Sequence, residues 1–245
     1  MTQVARAPRE PKHYRLKQHL SAFAESMPPG TAVPTERALA AEFETSRTTV
    51  RQAIAELVVE GRLERTQGKG TFVAFPKLVQ PLRLTSYTED MQAQGFRPTS
   101  RTLRLDTVKA DALVAEKLGL AEGAKVLVLE RLRLSDDEPM GLETTHLDAA
   151  RFPGFRKALE RHGSLYSTLK AEYGVEPGSA EQSIETAFAT PEEAALLTSD
   201  PALPTLLMFR HTWDSDGAPL EWVRSVYRGD RYKLVAHLSR PEERS

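Results

Sequence analysis

Between Thr35 and Ala74 the spacing of apolar positions changes period. Leu39, Ala40 and Phe43 recur at helical spacing after Thr35, a residue able to start a helix, and the pattern stops at Glu44-Thr45. A second helix is predicted from Ser46, whose hydroxyl can accept from a free backbone N–H, through Val50, Ile54, Leu57 and Val58 to Gly61 as the stop. Its inward face is aliphatic, so Arg47, Thr48, Thr49 and Arg51 lie off that stripe in the first turns. Beyond it the pattern becomes that of strands. Residues 62–65 and 71–74 flank 66–70, where Gly68 and Gly70 allow a tight reversal around Lys69.

The second half repeats one pattern. Ala110 to Leu118 reads as an alanine- and leucine-rich helix stopped by Gly119, followed by a strand over 126–134, a turn at 135–138 and a strand over 140–147. The order recurs about 79 residues later. Thr190-Pro191-Glu192-Glu193 is a capping box with proline at the first helical position, opening a helix to Leu197. A strand from Thr205 to Trp213, a turn over 214–217 and a strand from Leu220 to Tyr227 complete the copy, with Arg131 matching Arg210 and Glu143 matching Glu221. Two such units imply an antiparallel sheet carrying helices, hence an α+β domain.

Period-two alternation assigns faces within that sheet. Leu127, Leu129, Arg131 and Arg133 share one side of their strand, Glu143 and Thr145 one side of the next, and Glu221, Val223, Ser225 and Tyr227 one side of the last. Any one of these polar residues alone reads as part of a solvated face. Together they suggest a pocket for something anionic and hydroxylated. Two guanidinium groups with hydroxyl donors suit a phosphate, and a carboxylate such as Glu143 or Glu221 suits sugar hydroxyls or an ammonium. Lys125, Arg151 and Arg210 are nearby cations that also read as structural ion pairs, and Trp213 and Trp222 as plugs of the core or of a dimer face.

Charge separates the halves. The net charge of −1 gives no overall basic excess, but residues 1–80 hold 12 Lys/Arg against 8 Asp/Glu, leaving 21 against 26 for the remainder. The basic end coincides with the paired helices and glycine hairpin. A lone amphipathic helix with two arginines is also what an ordinary protein surface looks like; helix, turn, helix and basic hairpin together favour a winged helix-turn-helix that reads double-stranded DNA. In that reading Arg47, Thr48, Thr49 and Arg51 face base edges and phosphates, Arg37 faces the backbone, and Lys69 reaches phosphates or the minor groove.

The run from His13 to Val73, with VPTERALAAEF, SRTTVRQAIAELVVEGRLER and QGKGTFV, resembles the DNA-binding domain of the GntR superfamily of bacterial transcription regulators. The resemblance implies that Arg37, Arg47, Thr49, Arg51, Gly68 and Gly70 contact operator DNA. Residues 80 to about 240 resemble the UTRA effector domain, of chorismate-lyase-like fold, found in the HutC branch. Within the branch, LTSYTEDMQAQG, RLRLSDDEPMGLETTHLDAARFP, SLYSTL and EWVRSVYRGDRYK resemble the NagR/DasR-type amino-sugar regulators. These bind glucosamine 6-phosphate or N-acetylglucosamine 6-phosphate. The resemblance implies that Arg131, Arg133, Ser164 and Tyr166 hold the phosphate, that Glu143 and Tyr227 meet the sugar, and that the loop Ser86-Tyr87-Thr88-Glu89-Asp90 closes over it.

The expected organisation is a flexible arm over 1–11, a winged helix over 12–75, a proline-bounded, stiff linker over 76–81, and an effector-binding and dimerisation domain over 82–245. A repressor acting as a homodimer follows, its effector a phosphorylated amino sugar. Another HutC-branch effector is the alternative, and a lyase-like enzyme a remoter one, since His146 falls on the opposite strand face from Glu143 and no cofactor motif or nucleophile with a base is visible. The absence of cysteine and six scattered histidines argue against a metal site, and no cofactor is expected. No apolar run approaches membrane-spanning length, and the N-terminus lacks the apolar core of a signal peptide, so a cytoplasmic location is expected.

Overall fold

The computed structural model describes residues 11–66 and 68–238. The chain divides into two compact units that meet between Leu78 and Val79. The arm expected over 1–11 lies outside the described residues except for Pro11, as does Gln67 in the hairpin.

The first unit contains α1 (Lys12–Ser26), α2 (Glu36–Glu42), α3 (Arg47–Val59), β1 (Leu63–Thr66) and β2 (Gly70–Val73). Helix α1 precedes the paired helices that apolar spacing predicts. It packs on α3 through the buried Leu16 and Leu20. Thr35 caps α2 by accepting from Ala38 N, and Ser46 caps α3 by accepting from Thr49 N at 3.1 Å. The turn between them passes through Glu44 at φ 46°, a left-handed position uncommon for a residue other than glycine. Val50, Ala53, Ile54, Leu57 and Val58 are the buried positions of α3, the stripe its sequence marks. Each leucine buried here contributes about 1.5–3 kcal/mol by leaving water. In the hairpin, Thr66 pairs with Gly70, and Gly68 (φ 74°) and Gly70 (φ 124°) occupy backbone regions that side chains avoid. Ala32 bridges to Phe72, adding a third short segment beside the hairpin.

The second unit is built on a six-stranded antiparallel sheet in the order β4-β5-β6-β9-β8-β7. Its strands are β4 (Pro98–Lys109), β5 (Lys125–Ser135), β6 (Glu138–Asp148), β7 (Pro177–Phe188), β8 (Pro204–Asp214) and β9 (Pro219–Arg228). Each half has a long outer strand, a helix and a hairpin: β4, α5 (Ala112–Leu118), β5, β6, then β7, α8 (Pro191–Leu196), β8, β9. The repeat read from the helices and hairpins is therefore real, and β6 meets β9 at its centre. The outer strands β4 and β7 are exposed over most of their length and lack a clean apolar alternation, which is why the pattern did not reveal them. Thr190 and Glu193 form the expected capping box of α8. The turn after β5 places Asp136 and Asp137 at φ 47° and 66°.

Helices α6 (Phe155–His162) and α7 (Leu165–Tyr173) cover one sheet face around a core of Leu105, Leu129, Leu147, Phe152, Phe155 and Leu169. Val114 and Leu118 of α5 pack with Val126, while Leu197, after α8, packs with Leu132 and Val226. Residues 78–81, expected as part of a linker, instead form β3 (Leu78–Pro81), which pairs with β10 (Tyr232–Val235). Proline bounding the segment suits an edge strand as well as an extended link. The loop expected to close over a ligand, 86–90, is the start of helix α4 (Tyr87–Ala93).

Candidate functional site

On the first unit, the capped start of α3 presents Arg47, Thr48 and Arg51 as exposed residues and Thr49 as a half-buried one. Thr49 Oγ1 lies 2.9 Å from Ser46 Oγ, so this threonine is tied to the cap. Arg37 is exposed on α2, and Gly68, Lys69 and Gly70 are exposed at the hairpin tip. Both helix arginines reach the same acidic residue: Arg51 Nε donates to Glu36 Oε2 at 2.8 Å, and Arg47 Nη2 lies 3.5 Å from that oxygen. Glu36 has no counterpart among the DNA-facing residues picked out from the sequence, because single-residue periodicity does not show a contact fifteen residues away.

On the second unit, a cavity of about 750 Å³, part of it open to solvent, lies on the sheet face bearing the arginines. Ser86, Tyr87, Thr88, Arg131, Arg133, Glu143, Ser164, Tyr166, Glu221 and Tyr227 all line it, as do Asp90, Gln182, Met208, Arg210, Ser225 and Tyr232. The strand register explains the convergence. Arg131 pairs with Glu143, Glu143 with Ser225, and Thr145 with Val223, so one row of side chains crosses three strands on one face. Gly141 pairs with Tyr227, and a Cβ there would meet the tyrosine ring at 2.5 Å, so the absence of a side chain lets the ring lie against the strand.

Charge at the floor is unevenly compensated. Glu143 Oε1 accepts from Arg131 Nη2 at 2.8 Å and from Arg133 Nη2 at 2.6 Å, while its Oε2 accepts from Arg133 Nε at 3.1 Å. Arg133 also donates to Ser100 Oγ at 2.8 Å and stacks over the Tyr87 ring at 5.3 Å. Arg131 is 1% exposed, and its Nε and Nη1 are buried without a hydrogen-bond partner, as is Ser164 Oγ. Burial, reinforced by the positive charge of Arg133 and opposed by Glu143, lowers the Arg131 pKa to about 10, which still leaves it charged at neutral pH. Burial by itself would raise the Glu143 carboxyl, but Arg133 and Arg131 outweigh it and hold it well below the usual carboxylate range. Glu221 differs. Burial pushes its pKa up against the opposing effects of Tyr166 and Arg210, and it accepts from Tyr166 Oη at 2.7 Å and Thr212 Oγ1 at 3.0 Å.

Two roles expected from resemblance thus look different in the folded chain. Glu143 is already engaged by both arginines, and the Tyr166 hydroxyl is committed to Glu221. Ser86 serves as a helix cap, its Oγ accepting from Glu89 N at 3.2 Å while Glu89 Oε2 accepts from Ser86 N at 2.8 Å. Asp90 accepts from Thr85 Oγ1 at 2.6 Å and from the Gln80 amide, and Gln80 Oε1 accepts from Tyr232 Oη at 2.6 Å. This web joining β3, α4 and β10 has no periodic signal in the sequence. Arg151 pairs with Asp214, the structural reading, whereas Arg210 lines the cavity and donates to Gln182 Oε1 at 2.7 Å. Trp222 stacks on Phe209 with ring centroids 5.7 Å apart and Trp213 lies 4.0 Å from His211, both half-buried. Among the described residues no cluster of His, Asp or Glu is arranged to hold a metal ion, and no helix is long and apolar enough to cross a membrane.

Comparison with known proteins agrees with this division. Residues 15–73 match the gntR family of bacterial regulatory proteins, and residues 93–233 match the UTRA domain. The HTH-type transcriptional repressor PhnF of Mycolicibacterium smegmatis is 40% identical over 230 residues, covering 94% of this chain and 93% of that protein. The HTH-type transcriptional repressor NagR of Bacillus subtilis is 35% identical over 233 residues, covering 94% and 96%. The crystal structure of PhnF from Mycobacterium smegmatis superposes with a TM-score of 0.67 at 39% identity, covering 91% of this chain and 99% of that one. With both domain models matched in order and repressors of the same build similar over nearly the whole chain, the chain belongs to the HutC branch of the GntR family of transcriptional repressors.

Proposed function

We propose that this repressor binds a pseudo-palindromic operator as a homodimer and is controlled by a phosphorylated amino sugar, such as glucosamine 6-phosphate or N-acetylglucosamine 6-phosphate, held in the cavity of its UTRA domain. Arg37, Arg47, Thr48, Thr49 and Arg51, with Gly68, Lys69 and Gly70 of the wing, form the DNA-contacting set. One winged helix reads only a few base pairs, so two reading heads supply affinity and address.

The observation that carries the effector reading is the set of buried donors without partners: Arg131 Nε and Nη1 and Ser164 Oγ. Leaving buried donors unpaired is costly, and an anion with several acceptor oxygens satisfies them together. The arginines exceed the single carboxylate they share by one positive charge, which suits a phosphate. The paired Glu221 and Tyr166 and the aromatic Tyr227 supply acceptors, a hydroxyl and a flat apolar wall for a sugar ring. Similarity to the NagR repressor supports the amino sugar.

Isothermal calorimetry with glucosamine 6-phosphate, glucosamine, inorganic phosphate and a non-sugar phosphomonoester tests the proposal. Binding of the phosphosugar alone supports it in full. Equal affinity for the sugar with and without phosphate removes the phosphate site, and binding of phosphate or the simple ester as tightly as the phosphosugar removes the sugar.

A further inference from the structure

We infer that Glu36 is a positioning residue for DNA recognition: its carboxylate holds Arg51, and secondarily Arg47, in the orientation from which they read bases. This rests on the assignment of α3 as the recognition helix. Glu36 is the first residue of α2, in a backbone fixed by the Thr35 cap. Its Oε2 accepts from Arg51 Nε at 2.8 Å and lies 3.5 Å from Arg47 Nη2. One oxygen thereby ties the α2 start to two arginines one turn apart on α3.

The atom engaged on Arg51 decides what the contact can do. A guanidinium offers either the edge containing Nε or the end-on pair Nη1 and Nη2. With Nε bonded to Glu36, the two terminal nitrogens remain as the pair able to donate side by side to O6 and N7 of a guanine. An unrestrained arginine gives up more rotamer freedom when it docks on a base, so holding it beforehand favours the specific complex. The same carboxylate repels phosphates and weakens attachment to DNA of any sequence. The two effects act in opposite directions on affinity and in the same direction on discrimination. An ordinary exposed ion pair, by contrast, contributes little to anything.

The test uses the full chain and a duplex that it selects from a randomised pool, compared with a scrambled duplex of equal length. Fluorescence anisotropy should show Glu36→Ala lowering the ratio of selected to scrambled affinity by about tenfold, a loss within the worth of one bidentate base contact. Binding to the scrambled duplex should stay equal or tighten. Glu36→Gln, which keeps an oxygen able to accept from Arg51 Nε, should fall between wild type and alanine. In an Arg51→Ala background, the part of the Glu36→Ala effect that runs through Arg51 should vanish, leaving only the weaker contribution of Arg47. If Arg51→Ala itself leaves the selected affinity unchanged, the recognition-helix assignment fails. If Arg51→Ala weakens binding while Glu36→Ala leaves the ratio unchanged, Glu36 is a surface ion pair and the inference is overturned. Thermal unfolding of each variant at the wild-type midpoint separates these outcomes from loss of fold.

Discussion

Arg131 and Glu143 face each other in register across β5 and β6, with Nη2 of the arginine 2.8 Å from Oε1 of the glutamate. Their side chains are 1% and 12% exposed, so this is a buried pair, and Arg133 shares the same oxygen at 2.6 Å. Removing the one carboxylate leaves two guanidinium groups crowded together in low dielectric. Glu143→Ala is therefore expected to destabilise the UTRA domain by about 3–5 kcal/mol. Both tryptophans of the chain, Trp213 and Trp222, lie in this domain, so urea unfolding followed by their fluorescence reports on it. Added sulfate or phosphate should restore part of the midpoint in the variant and do less in wild type. An unchanged midpoint in Glu143→Ala would show that the arginines do not depend on this partner.

Arg133 carries the phosphate reading into function. It is buried, donates to Glu143 and Ser100, and stacks over Tyr87 at the start of α4. Arg133→Ala should abolish the response of DNA binding to glucosamine 6-phosphate while leaving affinity for DNA without the sugar near wild type. A gel shift titrated with the phosphosugar measures both. Retained release by the sugar would place the phosphate elsewhere.

His146 and His211 flank Trp222 in one rung of the sheet, across β6, β9 and β8. Burial lowers both pKa values. For His146 this wins over Trp222, Asp111 and Glu130, with Arg104 adding to it, and for His211 it wins over the Lys117 backbone and Glu181, with the Lys117 charge adding to it. A histidine whose folded pKa is depressed favours the fold at pH values above its unfolded pKa of about 6.5, and that contribution is lost as pH falls through the folded value. Asp90 and Glu221, whose pKa values are raised by burial, act oppositely, their contribution fading as pH rises through their folded values. The diagnostic quantity is therefore a difference. Between pH 7.5 and 5.5 wild type should lose more thermal stability than a His146→Asn, His211→Asn double variant. Equal losses would mean that the two rings do not stay neutral in the fold.

Lys69 sits exposed at the wing tip between two glycines with positive φ. A lysine on a phosphate weakens binding to all sequences alike when removed, and carries part of the salt dependence. Lys69→Ala should reduce the slope of log affinity against log salt by about one and lower the selected and scrambled affinities by a similar factor. Loss of discrimination without a change in slope would instead make Lys69 a base-reading residue.

The paired helices, the wing and the central hairpins were legible because each buries a regular stripe: Val50, Ile54 and Leu57 recur at helical spacing, and Arg131, Arg133 and Glu143 keep the parity of their strands. Parity alone places side chains of three strands on one face, since the strands pair in register. Less legible were elements whose partners are remote in sequence. Strands β4 and β7 are exposed edges without clean alternation, and β3 is four residues held by a strand beginning at Tyr232. The pairing of Glu36 with Arg51, and of Tyr166 with Glu221, depends on how α2 meets α3 and how the start of α7 meets β9. Residue type alone marked Tyr166 as an available donor, whereas in the fold its hydroxyl is committed to Glu221 and Arg51 gives only Nε to Glu36.

If the cavity controls DNA binding as proposed, β3 is the element through which the two would communicate. Its Gln80 donates to Asp90 of α4 and accepts from Tyr232 of β10, and all three residues line the cavity, while the chain passes from one compact unit to the other at the start of this strand. A ligand that reorders α4 therefore acts on the residues adjoining the junction. It shifts the repressor between arrangements only by the difference in its affinity for them, typically about 1–3 kcal/mol of coupling, or 5–150-fold. Relief of repression requires the phosphosugar to favour the arrangement that binds DNA poorly. Thermodynamic reciprocity then requires the selected duplex to weaken phosphosugar binding by the same factor by which the phosphosugar weakens duplex binding. Calorimetric titration of glucosamine 6-phosphate with and without saturating duplex should show that loss, and Gln80→Ala should shrink the ratio between the two affinities. Identical sugar affinity in both titrations would mean that the cavity and the reading head are uncoupled, and tighter binding in the presence of DNA would make the sugar a corepressor.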